Sequence, residues 1–495
     1  MDCSSGTIAD AMSQAQPGDT IMITGTCNET VEVDKDGITL DGGGSAVIDG
    51  AGIDAAVISV NGHQNVTIKG LTVQNGLSGI RLVESAAAWL VDVTAQGSRS
   101  KSGYESGPGI VVATSSTVVL SGAIVAKDNA QNGIWVGQSS SAVVLGNYVI
   151  QGNRWPSASV QVSGNGAQGI QVLVNSSLNA YSASGEYTTI HVKDNAYDGV
   201  QVADSSSFIM WSGTNFEATG NGGSGLSVGN SSSAAFYGFG TEARGASGLF
   251  DSNGGAGISV WGSSNLNVWD DGVAVNITST NNAWRGLNIS DGSAASFNSP
   301  ASEPPSRVVI SGNGAEGIEA AHNATLASRI PLEARNNAYE GVGVWGSSHV
   351  DLTAATVADN NGFAGLAVIT NSSAYLNGCR IENNVDDGIH AGNNSTVHLY
   401  DITITGNTGH GIAAYNHAFV QSYQDVGSSI TGNGGHGVNA WNGVSIQLDN
   451  ATITGNTNND VNASFGSRLY LPGTNLGTVY CDDSVLSAGD AVCPE

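Results

Sequence analysis

Asp386 and Asp387 stand side by side, His390 follows three residues later, and His410 and His436 come further along the chain. Adjacent carboxyls and imidazoles are the groups that general acid/base catalysis draws on, because modest changes of surroundings move their ionisation towards neutral pH. A second set comprises Arg285, Glu316 and Glu340, with Trp284 directly before Arg285 and Tyr339 directly before Glu340. Two carboxyls could divide acid and base roles between them, and Arg285 could serve as a base or as a clamp on an acidic sugar. The alternative for this second set is an outward-facing, solvated ladder of charge.

Most of these residues share one sequence position. Arg285, Glu316, Glu340, Asp387, His410 and His436 each precede a glycine, in a repeat of Asn, three free residues, Gly and an aliphatic residue, as in NAYEGV, NVDDGI and NGGHGV. The later glycines, Gly317, Gly341, Gly365, Gly388, Gly411 and Gly437, are spaced by 24, 24, 23, 23 and 26 residues. After each glycine, apolar or small residues alternate, as in Val342 and Val344; a Ser-rich turn and a second alternating run follow, and a third run leads to the next Asn. Period-2 alternation marks short strands with one buried face. Three such strands per repeat can pair only with repeats before and after. The pattern predicts an all-β, right-handed parallel β-helix with three-strand coils of about 23 residues.

The recurring Asn, including Asn129, Asn165, Asn195, Asn253, Asn313, Asn361 and Asn433, reads as a turn residue that adopts the left-handed conformation and bonds through its amide to its counterpart one coil away. The ends of such a coil need covering. Residues 1–30 are expected to form an N-terminal cap, with Ile8, Ala11, Met12 and Ala15 at helical spacing and a Cys3–Cys27 disulfide. Residues 31–468 form the β-helix, with longer loops in 150–306. Residues 469–495 leave the repeat and form a C-terminal cap closed by Cys481–Cys493. Cys379 is left as a buried small residue. Two short disulfide loops suit an oxidising compartment, so an extracellular or cell-surface location is expected, with Met1 leading a mature form from which a signal peptide has been removed.

Only 12% of the 495 residues are charged, and 42 acidic against 15 basic residues give a net charge of −27. That balance argues against nucleic acid and anionic membrane surfaces, and favours a neutral over a polyanionic polysaccharide. No apolar run is long enough to span a membrane. The sequence identifies no cofactor and supplies no transition-metal motif; calcium is the ion that Asp270-Asp271 or Asp386-Asp387 could hold.

The opening TIADAMSQAQPGDTIMITGTCNETVEV, followed by GITLDGG and NVTIKGLTVQN, resembles the capped start of secreted right-handed parallel β-helix proteins of the pectate-lyase-like superfamily. VDDGIHA followed by GHGIAA is similar to the polygalacturonase-type glycoside hydrolases. That resemblance implies a general acid at Asp386, a water-activating carboxylate at Asp387 and a supporting histidine at His410. The family's further aspartate falls at Ala364 here, and its Arg-Ile-Lys element has no counterpart, because no Lys or Arg lies between Arg380 and Arg468.

Coils stack about 4.8 Å apart. Carboxyls one coil apart would approach the ~5 Å of a retaining glycosidase pair, and those two coils apart the wider inverting separation. Trp261, Trp345, Tyr415 and Trp441 occupy the fourth position after their glycines and are expected to project from one face. With Trp284, Tyr339, His390 and His436 they are candidate sugar contacts. Long loops at 178–189, 238–248 and 268–306 could supply specificity. The residues point to an extracellular carbohydrate-active protein that binds a polysaccharide along the β-helix face and cleaves or modifies it by carboxylate acid/base chemistry, as a glycoside hydrolase rather than a lyase or epimerase. The other reading is a non-catalytic surface, adhesive or filament-forming β-helix, and self-association stays open.

Overall fold

A computed structural model describes residues 1–101, 107–146, 149–150, 153–154, 156–182, 187–240, 244–300, 306–353, 355–422, 427–488 and 493. The chain forms two compact units, Met1–Gly255 with Val268–Asn276, and Ala256–Asn267 with Ile277–Glu495. The fold is the expected right-handed parallel β-helix.

In the first unit the helix Ile8–Gln14 forms as its apolar spacing predicts. Thr7 caps it by accepting the Asp10 N–H, and Ile8 and Met12 are buried. The Glu29 carboxylate accepts the free Ile8 and Ala9 N–H groups, and Lys35 donates to the Met12 carbonyl, so both helix ends are satisfied from the first coil. The Cys3–Cys27 disulfide is present. The short strands after each glycine, Ile110–Val112, Ile134–Val136, Ile170–Val172, Val200–Val202 and Leu226–Val228, pair in parallel and in register. Early coils depart from the three-strand expectation: Thr39–Asp49, Val66–Gln74, Ala87–Gln96 and Thr117–Lys127 each run through what should be a corner. At Thr117–Lys127 a single residue makes the bend, since Gly122 has φ 66° and the Asp92 carboxylate accepts the next N–H, that of Ala123.

In the second unit strands Leu287–Ser290, Ile318–Ala321, Val342–Trp345, Leu366–Ile369, Ile389–Gly392, Ile412–Tyr415, Val438–Trp441 and Val461–Ser464 form one in-register parallel sheet. Val342, Val344, Leu366, Val368, Ile389 and Ile412 point inward and are buried. The repeat pattern breaks at Leu469, yet the coil does not: Asn475–Leu476, Val479–Cys481 and Leu486–Ala488 still pair in parallel with the turn before them. Cys481–Cys493 closes that segment. Cys379 is free and buried, which pushes its thiol up to about 12. Parts of the long loops, 183–186, 241–243 and 301–305, lie outside the described residues. Among the described residues no helix is long and apolar enough to cross a membrane.

The Asn ladder exists in both units. Nδ2 of Asn129, Asn165, Asn195 and Asn221 donates to Oδ1 of the next Asn at 2.8–3.0 Å, Asn221 donating to Asn253. A second series runs from Asn282 through Asn313, Asn337, Asn361, Asn384, Asn407 and Asn433 to Asn456. One expectation needs correction: the left-handed residue is the one before each ladder Asn, with φ of 53–56° at Asp128, Asp194, Asn281, Asn336, Asn360 and Asn383. That leaves the ladder amide free to point inward and bond along the stack. The glycine recurs for the same reason. A Cβ at Gly365 would lie 2.7 Å from Asn384 Nδ2 and 3.0 Å from the Gly388 carbonyl, so no side chain fits where the next ladder amide passes.

Candidate active site

The residue before each glycine sits where one coil's backbone N–H faces the coil preceding it. On five coils the residue of the earlier coil at or beside this position accepts that N–H through its side chain. Asn132 Oδ1 accepts from Gln168 N at 3.2 Å and Asp198 Oδ1 from Ser224 N at 2.7 Å. Asp387 Oδ1 accepts from His410 N at 2.7 Å, His410 Nδ1 from His436 N at 2.9 Å, and His436 Nδ1 from Asn459 N at 3.1 Å. Asn132, Asp198, Asp387, His410 and His436 are therefore turn caps, whereas Arg285, Glu316 and Glu340 in the same row are not. The His410 and His436 rings stack at 5.1 Å. Burial and the neighbouring His410 lower the pKa of His436, favouring the neutral ring that an accepting Nδ1 requires.

Asp387 is only 5% exposed and uses both oxygens. Oδ2 lies 3.1 Å from His390 Nδ1, and His390 Nε2 bonds to the Tyr415 hydroxyl. His390 is thus held from both ring nitrogens, by the Asp387 carboxylate on one side and the Tyr415 hydroxyl on the other. The phenol's pKa is raised by burial and by Asp387. Tyr415 folds over Gly392, where any Cβ would collide with the ring. Asp386 projects from the corner. Burial and the adjacent Asp387 raise its pKa, while His390 and His410 oppose the rise.

The second set is tied together by Arg285. Its Nε donates to Glu316 Oε2 at 2.9 Å and also pairs with Glu319, and its guanidinium lies 4.0 Å from the Trp284 ring centre. Glu319 was missed by sequence reasoning centred on the residue before glycine. It occupies the second position after Gly317, the outward register that His390 also occupies after Gly388; that parity was the available signal. Burial raises the Glu319 pKa against the pull of Arg285. Burial raises Glu340 too, with Glu316 and Asp386 adding to the rise and His390 opposing it. Glu340 thus feels both clusters, and the two sequence motifs form one electrostatic strip.

Gly343 and Ala367 fill the register between Glu319 and His390, and the Trp345 indole folds back over Gly343. Trp345 and Tyr415 therefore lie along the sheet, whereas the expectation had them projecting; Trp261 is half-buried, and Trp441 is exposed against Phe465. A different aromatic row stands at the corner, two residues before the glycines. Trp284, Tyr339 and Phe363 are each about half exposed, Tyr339 and Phe363 stack at 5.2 Å, and the row continues through backbone bonds to Asp386. Phe363 was not singled out from sequence, because a single Phe in a Gly-rich turn carries no periodic signal.

The fold and this strip define the class: a right-handed parallel β-helix protein with an ionisable row flanked by exposed aromatic rings. Residues 305–458, the segment holding most of the strip, match the family model described as right handed beta helix region. No curated protein matches the chain. Among solved structures, the periplasmic alginate epimerase AlgG is 13% identical, over 69% of this chain and 77% of that one, with a TM-score of 0.28. The Vag8-C1 inhibitor complex matches at 12% identity, over 95% and 100%, with a TM-score of 0.41. The Azotobacter vinelandii mannuronan C-5 epimerase AlgE6 A-module matches at 11%, over 97% and 93%, with a TM-score of 0.19. At such identities and scores the likeness carries nothing about the chemistry of this chain.

Proposed function

We propose that this is an extracellular carbohydrate-active protein that binds a polysaccharide along the corner row Trp284, Tyr339 and Phe363 and cleaves it by general acid/base chemistry at Glu340 and Asp386. The observation that carries this reading is the placement of these two carboxyls, both with raised pKa, along an exposed aromatic row, Glu340 directly after Tyr339 and Asp386 one coil beyond Phe363. Sugar rings stack on exposed aromatic faces. A raised pKa favours the general-acid role, and two coils separate Glu340 from Asp386, roughly 10 Å by the coil spacing and close to the inverting separation. Asp387 is assigned to orienting His390, since it is buried and its two oxygens are engaged by the His410 N–H and by His390. His410 and His436 are assigned to the turns. Arg285 is neutralised by Glu316 and Glu319, which supports a neutral glycan over a uronate at this strip. The two disulfides support the extracellular placement.

The test is digestion of a polysaccharide panel, with and without calcium, with products read as reducing ends and as unsaturated sugars. New reducing ends without unsaturation are the expected result. Unsaturated products would replace hydrolysis by elimination at the His390–Tyr415 pair, and intact polymers throughout would leave a non-catalytic surface protein.

A further inference from the structure

We propose that the first unit carries a separate saccharide-binding site, selective for a carboxylated sugar, in the cleft around Arg81 and Trp135. The cleft has a volume of about 390 Å³ and opens on the outward face of the strands that follow the glycines. In register, Arg81 is followed by Val111, Trp135 and Gln171 on successive coils. With coils about 4.8 Å apart, the span from Arg81 to Gln171 is roughly 14 Å, the length of two to three sugar rings.

Each lining group is set for a sugar. The Trp135 indole lies back over Gly137, where a Cβ would come within 2.8 Å of it, and packs against Val83, Val111 and Ala113. It is thereby fixed flat on the sheet, the orientation that stacking on a pyranose face requires. Asn132 Nδ2 holds Gln171 Oε1 at 2.9 Å, and Gln171 Nε2 is held by Gln201, so these amides are oriented before any ligand arrives. Thr114 donates to Gln138 Oε1 at 3.0 Å, which leaves the Gln138 amide N–H groups to face the cleft.

Charge selects the sugar. Arg99, Arg285, Arg307, Arg335 and Arg380 each meet a carboxylate, whereas Arg81, like Arg244, Arg329 and Arg468, makes no ion pair among the described residues. Among the described residues no acidic side chain lines the cleft, in a chain with 42 acidic residues. An exposed guanidinium two coils from an aromatic face, with no carboxylate among the described lining residues, fits the planar carboxylate of a uronate, which it can hold through two parallel N–H donors. The local charge thus reverses the preference for neutral glycans expected from the whole chain. Among the described residues the cleft lining contains no carboxyl or imidazole, and its proposed role is holding the polymer.

Calorimetric titration of the full chain with trimers of galacturonate, glucuronate and mannuronate, and with maltotriose, tests this. At least one uronate trimer should bind, and Arg81→Gln should weaken it about tenfold or more while leaving maltotriose unaffected. Trp135→Phe should weaken it less, since a smaller ring remains. Glu340→Gln and Asp386→Asn should leave it unchanged, which separates this site from the strip in the second unit. Absence of heat with every uronate, equal binding of maltotriose, or indifference to Arg81→Gln would each overturn the proposal.

Discussion

Asp387 caps the coil that carries His410: its Oδ1 accepts the His410 backbone N–H at 2.7 Å while its Oδ2 holds His390. A residue whose motif suggests catalysis is thus committed to the turn before it can do chemistry. Asp387→Ala should destabilise the second unit by about 2–4 kcal/mol, because a buried N–H and an imidazole both lose a charged acceptor. Asp387→Asn should cost much less, since Asn132 makes the same turn bond with an amide oxygen. Urea unfolding of the two variants gives the comparison, and equal losses would remove the capping role.

Glu340 presents the opposite case. Its pKa in the folded chain is raised by burial and by Glu316 and Asp386. A raised carboxyl contributes stability fully below its unfolded pKa and loses that contribution as pH rises through the folded pKa. Glu340→Gln should therefore melt at the same or a higher temperature than wild type at pH 7, with a smaller decline in melting temperature between pH 4 and 8. A lower melting temperature at pH 7 would mean the carboxylate is stabilised where it sits.

Asp460 ends the second Asn ladder. Its Oδ1 accepts from Asn456 N and Nδ2 at 3.0 and 2.9 Å, and its Oδ2 accepts from Thr478 N at 2.8 Å. Burial works against the charge, but the hydrogen bonds from Asn456 and Thr478 prevail and hold the carboxyl below its ordinary range. Its contribution is present above the unfolded pKa and lost as pH falls through the folded one. Asp460→Asn should cost about 1–3 kcal/mol, because an amide N–H would face the Thr478 N–H. The penalty should shrink in acid, and melting curves at pH 3 and pH 7 will show whether it does.

The fold was legible because backbone needs repeat in every coil. Gly365, Gly388 and their counterparts must clear the next ladder amide, and that demand writes itself into the sequence at a fixed spacing. The site was legible only in part. Arg285, Glu316, Glu340, Asp387, His390 and Tyr415 could be aligned by register, but the row before glycine also holds turn caps, and register cannot separate the two uses. Glu319 and Phe363 escaped because their importance comes from a neighbour on another coil, Arg285 for one and Tyr339 for the other.

That stacked pair yields a prediction about binding. Tyr339→Ala and Phe363→Ala should each weaken glycan affinity several-fold, with little change in melting temperature, since both rings are about half exposed. Affinity electrophoresis on polysaccharide gels reads the first effect and calorimetry the second; unchanged mobility in both variants would remove the corner row from the binding surface.

The central claim is that Glu340 and Asp386 do chemistry on a glycan held beside them. Its most direct test is the release of reducing ends by wild type, Glu340→Gln and Asp386→Asn on whichever polysaccharide the panel identifies, with melting temperatures recorded alongside. A fall in turnover of about a hundredfold or more in each folded variant is predicted, as loss of a general acid or base should give; turnover within a few-fold of wild type in both would contradict it.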